Sequence, residues 1–282
     1  MKIERVLKIV LLALAVLDLV LGTIFVFFGE YLFTALHLQD YAHPLFFMIC
    51  VGLFLYQYTF IQFIAYKDPR KYSTCLNLTV IIRLTFPIVY ISAIFLWGLP
   101  FTLLHVLFAL SAFADLAFAA FILISMRKLG ILFLQGDETA DNPKEPACLL
   151  RTFLLVLTIA EFIMGSSWMI FPAFWLKLCG ITYIVDPFWT RATGLFLVNI
   201  AYIQFLGFLN VNKYRMAVII SGLYRALWPL LYWYQIAFGE GNTLFKGFIL
   251  FFSFFNIFSC ITILRLVKKA TGKPIFYVPE NK

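Results

Sequence analysis

Long apolar runs separated by short polar segments make up most of this chain. An apolar helix needs about 20 residues to cross the roughly 30 Å hydrocarbon core of a bilayer, since it rises about 1.5 Å per residue. Eight runs reach that length, and the pattern therefore predicts an all-α polytopic membrane protein with eight transmembrane helices. The expected helices are Val6–Phe28, Pro44–Tyr66, Cys75–Trp97, Phe101–Ile124, Leu150–Phe171, Pro187–Leu209, Ala217–Gly239 and Leu244–Leu266.

The composition agrees with a chain surrounded by lipid. Hydrophobic residues make up 63% of the 282 residues and charged residues only 13%, whereas soluble domains carry about 25% charged residues. The five cysteines show no CxxC spacing, which argues against a zinc site and a disulfide framework. The chain also lacks a nucleotide-binding loop, an HExxH motif and a serine–histidine arrangement. The motifs thus predict no cofactor and no metal, and they give no support to an enzyme.

The basic residues predict how the chain is oriented in the membrane. Seventeen of the 22 lysines and arginines fall on one side of the predicted helices and three on the other, while Arg83 and Arg225 fall within the bilayer. Because cytoplasmic loops carry the excess of basic residues, both termini are predicted to be cytoplasmic, in a cell or inner membrane. This topology places Cys148 inside and Cys179 outside. It also explains the net charge of +8 without nucleic-acid binding.

The two halves of the chain share a pattern of polar residues and prolines. Arg83-x3-Pro87-x2-Tyr90 in the third helix matches Arg225-x3-Pro229-x2-Tyr232 in the seventh. Chance does not readily reproduce arginine, proline and tyrosine at one spacing inside membrane helices, so we infer an internal repeat of four helices. The same alignment pairs Asp18 with Glu161, Gln62 with Gln204, and Asp115 with Asn256.

The repeat divides the chain into two membrane units and a linker. Residues 1–128 are expected to form the first four-helix unit, and residues 149–282 the second unit with a short cytoplasmic tail. Residues 129–148 between them form a cytoplasmic linker with acidic residues and prolines. Because each unit has an even number of helices, the two copies should have the same orientation, as parallel repeats.

Polar and charged side chains inside the predicted helices are the best candidates for function. A charge within the bilayer costs about 2.5–3.5 kcal/mol on insertion scales, so its presence needs a reason. Asp18, Arg83 and Asp115 lie at a similar depth in the first unit, and their counterparts occupy the same places in the second. We expect each group of three to meet inside its own unit. With one tyrosine on each arginine helix, the candidate binding or proton-linked residues are Asp18, Arg83, Tyr90, Asp115, Glu161, Arg225, Tyr232 and Asn256.

The formal charges of the two groups differ. The first group has two acids and one arginine, whereas Asn256 makes the second group neutral. A fully ionised first group would therefore leave one unpaired negative charge in hydrocarbon. Such a group is expected to hold a proton or to bind a cationic partner, as the acids of proton relays and coupled transporters do.

Two other sets of polar residues are weaker candidates. His37-x2-Asp40-x2-His43 could supply three metal ligands, but the matching positions in the second half are mostly not ligands, so a metal site is not expected. The amides of the second and sixth helices could line a polar path, although such amides more often form hydrogen bonds between helices. These amides are Gln57, Gln62, Asn199 and Gln204.

Three functions are compatible with this pattern. The leading hypothesis is a carrier or permease-like protein with a mid-membrane polar site for a small solute or a proton. The first alternative is a non-transporting scaffold or assembly protein whose buried charges are structural, because buried ion pairs often only satisfy charges that packing has trapped. The second alternative is an intramembrane enzyme that acts on lipid or quinone with the carboxylates as acid and base. The bilayer is the one partner that the sequence itself implies.

Overall fold

The computed structural model is helical throughout the regular structure that it describes. It describes residues 2–38, 42, 45–96, 103–136, 148–181, 187–272 and 275. Within these residues, eight helices are long and apolar enough to cross a membrane, which confirms the all-α, eight-span prediction. The elements are α1 (Lys2–Thr23), a π-helical turn (Ile24–Phe28), α2 (Gly29–Ala35), α3 (Leu45–Lys67), α4 (Ser73–Leu96), α5 (Leu103–Lys128), α6 (Cys148–Ile170), α7 (Pro172–Leu178), α8 (Phe188–Leu209), α9 (Arg215–Phe238) and α10 (Thr243–Thr271).

The first span is longer than its apolar run predicts. It starts at Lys2 and continues through the π-helical turn to Ala35, rather than ending at Phe28. The corresponding span of the second half ends at Ile170, and Pro172 begins the separate helix α7. Proline has no backbone N–H to continue an α-helix but is well suited to the first turn of a new one. The first half has no proline at this point, so its helix runs on.

Helices α3, α4, α8 and α9 form the centre of the bundle. In the first half α1 packs on α3 and α4 packs on α5, and in the second half α6 packs on α8 and α9 packs on α10. Among the described residues, the main helix contacts between the halves are α3 with α8, α4 with α8, α3 with α9, and α4 with α9. Accordingly, 72% of the most apolar stretch of α3 and of α8 is buried, against 28% for the first span and for α6 and α10. The less buried helices present their apolar faces to lipid.

Glycines allow the first and second spans of each half to touch. A Cβ atom added at Gly22 would lie 2.9 Å from the carbonyl oxygen of Gly52, and one added at Gly165 would lie 2.5 Å from that of Gly194. Small residues permit such close backbone approach between membrane helices. These two crossings place α1 against α3, and α6 against α8, at the depth where the candidate site residues lie.

One end of the bundle, which we call the terminal end, holds the start of α1 and the end of α10. Here residues 129–136 fold back over the start of α4, and the side chains of Ser73 and Asn77 bond to the Gln135 carbonyl at 3.2 Å. The Leu134 carbonyl accepts a hydrogen bond from the Tyr214 hydroxyl at 3.0 Å. The segment after α5 therefore ties the two halves together at this end.

Candidate functional site

Three charged side chains of the first half meet inside the bundle. The guanidinium of Arg83 on α4 donates from Nη2 to Asp18 Oδ2 at 2.5 Å and from Nη1 to Asp115 Oδ1 at 2.8 Å. Asp18 comes from α1 and Asp115 from α5, so the arginine joins three helices. We call these three residues the first triad. Gln62 on α3 donates to Asp18 Oδ2 at 2.7 Å, which connects the fourth helix to the same group.

The second half contains the same arrangement with one neutral member. Arg225 donates from Nη2 to Glu161 and from Nη1 to Asn256 Oδ1, the latter at 3.0 Å. Gln204 donates to Glu161 Oε2 at 2.8 Å, as Gln62 does to Asp18. We call Glu161, Arg225 and Asn256 the second triad. The structure thus brings together the residues of each group within its own half, as the sequence predicted.

All six triad residues are buried. Their exposed fractions run from 1% for Asp18 to 6% for Arg83, Asp115 and Glu161. In a low-dielectric interior each ion pair compensates part of the cost of burying its charges. The second triad has one positive and one negative side chain, whereas the first has two carboxylates around one guanidinium. The first triad therefore carries an excess negative charge whenever both acids are ionised.

A cavity of about 280 Å³ opens directly above the first triad. Asp18, Arg83 and Asp115 form its polar floor, and it extends away from the terminal end, between α1, α2, α3, α4 and α5, to the start of α8. Its walls are largely apolar. The aromatic residues that line it are Phe25, Phe33, Phe86, Tyr90, Phe188 and Trp189.

The matching region of the second half is nearly filled. The pocket there has a volume of about 40 Å³, and the second triad is not among the residues that line it. Larger side chains occupy four of the aligned positions. Ser111 of the first cavity corresponds to Phe252, Leu107 to Phe248, Phe86 to Trp228 and Phe25 to Trp168.

The arginines also differ in what covers them. The guanidinium of Arg225 lies 5.8 Å from the centre of the Phe255 ring and 6.0 Å from that of Tyr224. The aligned positions near Arg83 hold Ala114 and Ile82, which have no ring. The second triad is therefore packed with aromatic side chains, while the first faces a cavity.

The two tyrosines chosen from the sequence line these two spaces. Tyr90 borders the cavity of the first half and Tyr232 the small pocket of the second. Sequence reasoning missed the cavity walls, in particular Ser111 and Trp189. The signal for Ser111 was the substitution of serine by phenylalanine between aligned halves, which was visible only after the repeat had been recognised. The role of all eight candidates in binding or proton transfer stays a prediction.

The weaker candidates form no further site among the described residues. His37 lies just after α2 with a φ of 56°, and Asp40 and His43 fall outside the described residues. No group of three His, Cys, Asp or Glu side chains in the described part of the chain could hold a metal ion. Asn199 donates to the Tyr58 hydroxyl at 3.2 Å, so this amide bonds across the two halves.

The fold and the buried ion pairs define a multi-pass integral membrane protein organised around two polar sites within its spans. Comparisons of the chain with protein-family models, with curated proteins and with solved structures find no match.

Proposed function

We propose that this protein is a carrier or permease-like membrane protein, and that its first half contains a mid-membrane site for a small solute or a proton. The observation that carries the proposal is the cavity of about 280 Å³ whose floor is the first triad. Ionisable residues within membrane spans commonly mark substrate or proton pathways when they face a cavity. Asp18 and Asp115 face one here.

We further propose that the two halves are parallel four-helix repeats, comprising residues 1–128 and 149–282 around the linker 129–148. Contacts between the halves occur in matched pairs, as a two-fold axis requires. The Tyr90 ring stacks on Phe188 with centroids 6.4 Å apart, and the aligned Tyr232 stacks on Phe46 at 6.3 Å. An axis along the membrane normal would relate two copies of the same orientation.

The orientation with both termini in the cytoplasm belongs to the same proposal. It rests on the basic residues, which concentrate at the terminal end of the bundle. In this orientation the cavity occupies the outer half of the membrane, and the first triad lies at its inner limit. On the side of the triad towards the terminal end, Leu11, Leu14 and Ile122 are buried.

The excess carboxylate supplies a chemical basis for coupling. Both acids contact one guanidinium, so the first triad becomes neutral when Asp18 and Asp115 together hold one proton. A solute that supplies a positive charge would replace the proton, and a neutral solute would bind beside it.

A structural role is the alternative for which the second triad gives specific support. Its charges balance, aromatic residues cover its arginine, and its pocket is only about 40 Å³. An ion pair in such a setting holds helices together without binding anything. If the first triad had the same role, the protein would be a scaffold. An intramembrane enzyme acting on lipid or quinone would instead use the same two carboxylates as acid and base, and would alter lipid or quinone composition.

Proton uptake by reconstituted liposomes under an imposed potassium–valinomycin potential tests the proposal. Asp115→Asn removes the excess charge but keeps an oxygen for Arg83, as Asn256 does for Arg225 at 3.0 Å. In a carrier this variant loses proton-linked flux and keeps its fold. Glu240→Gln, which changes an exposed acid outside the site, is the matched control and keeps full flux. Normal proton flux in Asp115→Asn would exclude Asp115 as the proton-carrying residue, and an absence of flux in the wild-type protein would leave the scaffold as the better account.

A further inference from the structure

We propose that the cavity of the first half binds a small apolar molecule with a single cationic nitrogen, and that the second half lacks this site. This inference rests on the proposed function and specifies its substrate class.

The net negative charge of the first triad, with both acids ionised, favours a cationic ligand in the cavity. With both acids ionised, the first triad has one negative charge more than Arg83 compensates. A ligand with one positive charge gives the site the same neutral balance that the second triad has with Glu161 and Arg225 alone. An anionic ligand would instead add a second unpaired charge to a low-dielectric interior, which is costly.

The floor also has free acceptors. Asp18 Oδ2 receives the hydrogen bonds from Gln62 and Arg83, and Asp115 Oδ1 receives the other bond from Arg83. The second oxygen of each carboxylate, Oδ1 of Asp18 and Oδ2 of Asp115, accepts no hydrogen bond from a described residue. Among the described residues, some buried polar atoms are fully enclosed and have no hydrogen-bond partner, but these two oxygens are not among them. Both oxygens therefore keep some accessible surface. These oxygens are suited to accept N–H bonds from an ammonium group in the cavity.

The cavity walls are suited to contact the apolar part of such an ammonium ligand. Aromatic rings from Phe25, Phe86 and Trp189 surround the space, and ring faces attract cations as well as apolar groups. A volume of about 280 Å³ is just below the usual range of ligand pockets, which is about 300–1,000 Å³. The ligand is therefore smaller than a typical drug and much smaller than a two-chain lipid.

The second half lacks both the excess carboxylate and the open cavity of the first half. It has Asn256 where the first half has Asp115, and Phe252 where the first half has Ser111. The excess carboxylate and the open cavity are thus both absent from the same half. A cavity that results only from imperfect helix packing does not require an extra carboxylate beside it. An extra carboxylate with a purely structural role does not require a cavity. Their joint occurrence in the first half points to a bound cation.

Calorimetric titration of the full-length protein in lipid nanodiscs tests this inference with three probes of similar shape. The probes are 2-phenylethylamine, which is cationic at neutral pH, the neutral 2-phenylethanol and the anionic 3-phenylpropionate. We expect the amine to bind at least about tenfold more tightly than the alcohol, a difference of about 1.4 kcal/mol. Binding of the propionate should not be detectable. A fourth probe, the single-chain dodecylamine, distinguishes a membrane amphiphile from a free small amine, because Phe25 also lines a wide groove towards α9.

Three variants separate the contributions of charge and space. Asp115→Asn should abolish the preference of the amine over the alcohol. Ser111→Phe should fill the cavity as Phe252 fills the second one, and weaken binding of both probes while leaving the triad intact. Leu110→Phe adds the same ring one residue earlier, on a side chain that is 61% exposed, and should bind like the wild type. The thermal unfolding temperature of each variant identifies any that fails to fold.

Equal affinity for amine and alcohol in the wild-type protein would overturn the inference, as would unchanged amine binding in Ser111→Phe. Its failure is distinguishable from failure of the proposed function. A protein that carries protons in liposomes without preferring amines remains a carrier with a different substrate. A protein that prefers amines but shows no proton flux has the site without the coupling.

Discussion

The rings of Phe54 on α3 and Phe196 on α8 stack face to face at the centre of the bundle, with centroids 4.3 Å apart and planes 13° apart. Both side chains are fully buried. They are aligned partners in the proposed repeat, so the pair would lie on the axis that relates the halves. The surrounding contacts are matched as well. Trp228 meets Phe54 edge-on at 5.0 Å, and the aligned Phe86 meets Phe196 edge-on at 4.9 Å.

We expect Phe54→Ala to lower the free energy of unfolding by about 3–5 kcal/mol, since it leaves a cavity where the surrounding helices cannot close. The measurement is the unfolding midpoint in mild detergent with increasing denaturant. Phe60→Ala is the matched control on the same helix, because Phe60 is 37% exposed and faces outwards. Equal destabilisation by both substitutions would show that the stack contributes nothing specific.

Gly194→Ala should destabilise the protein by about 1–3 kcal/mol, because the new methyl group would lie 2.5 Å from the Gly165 carbonyl oxygen and force α6 away from α8. Gly247→Ala in α10 is the matched control. A Cβ at that position meets nothing within 4 Å, so it should stabilise the helix by up to about 1 kcal/mol. Opposite shifts in thermal unfolding temperature are expected. A tolerated Gly194→Ala would disprove the close crossing.

Arg83→Leu should destabilise the protein by about 3–5 kcal/mol, because it leaves two buried carboxyl groups without their guanidinium partner. Asp115→Asn should change stability by less than about 1 kcal/mol, because the second half already holds Asn256 against Arg225. Expression level and unfolding midpoint of the two variants provide the comparison. If Asp115→Asn were as damaging as Arg83→Leu, the equivalence of the two triads would be wrong.

The proposed orientation is testable by cysteine labelling, but Cys179 is a poor reporter. Only 8% of this residue is exposed, and burial raises the pKa of its thiol to about 11. The thiolate is the reactive form, so at pH 8 only about one Cys179 thiol in a thousand is ionised and labelling accelerates as the pH rises towards 11. The predicted topology places Cys179 outside, but a labelling test of that side needs a more exposed cysteine.

Glu240→Cys in an otherwise cysteine-free chain supplies that reporter, because Glu240 is exposed in the connection between α9 and α10. A membrane-impermeant maleimide should label it on sealed cells. A second chain that keeps only Cys148, which is exposed at the start of α6, should be labelled only after permeabilisation. The reverse result would place both termini outside and the cavity in the inner half of the membrane.

The membrane spans and the contacts between the charged residues could be predicted from the sequence. Both follow from the free-energy cost of exposing apolar residues to water or of burying an unpaired charge. A run such as Leu45–Lys67 is long and apolar enough to cross a bilayer, and exposing it to water would be unfavourable. A charge such as Arg83 cannot remain unpaired in hydrocarbon, so acids at the same depth were its expected partners. Helix ends were less predictable. The continuation of the first span to Ala35 depends on a π-helical turn for which the apolar pattern has no signal.

What the sequence by itself determined about this protein is an eight-helix membrane chain with two groups of buried polar residues and one excess acid. Only the tertiary structure decided that the first triad faces a cavity of about 280 Å³, while the arginine of the second is covered by the rings of Tyr224 and Phe255. The physical reason is that the cost of burying a charge or of leaving an apolar run in water depends on residue type and depth, which can be read along one helix. An internal space depends on how side chains from several helices fill a shared volume, and that is fixed only when the helices have packed.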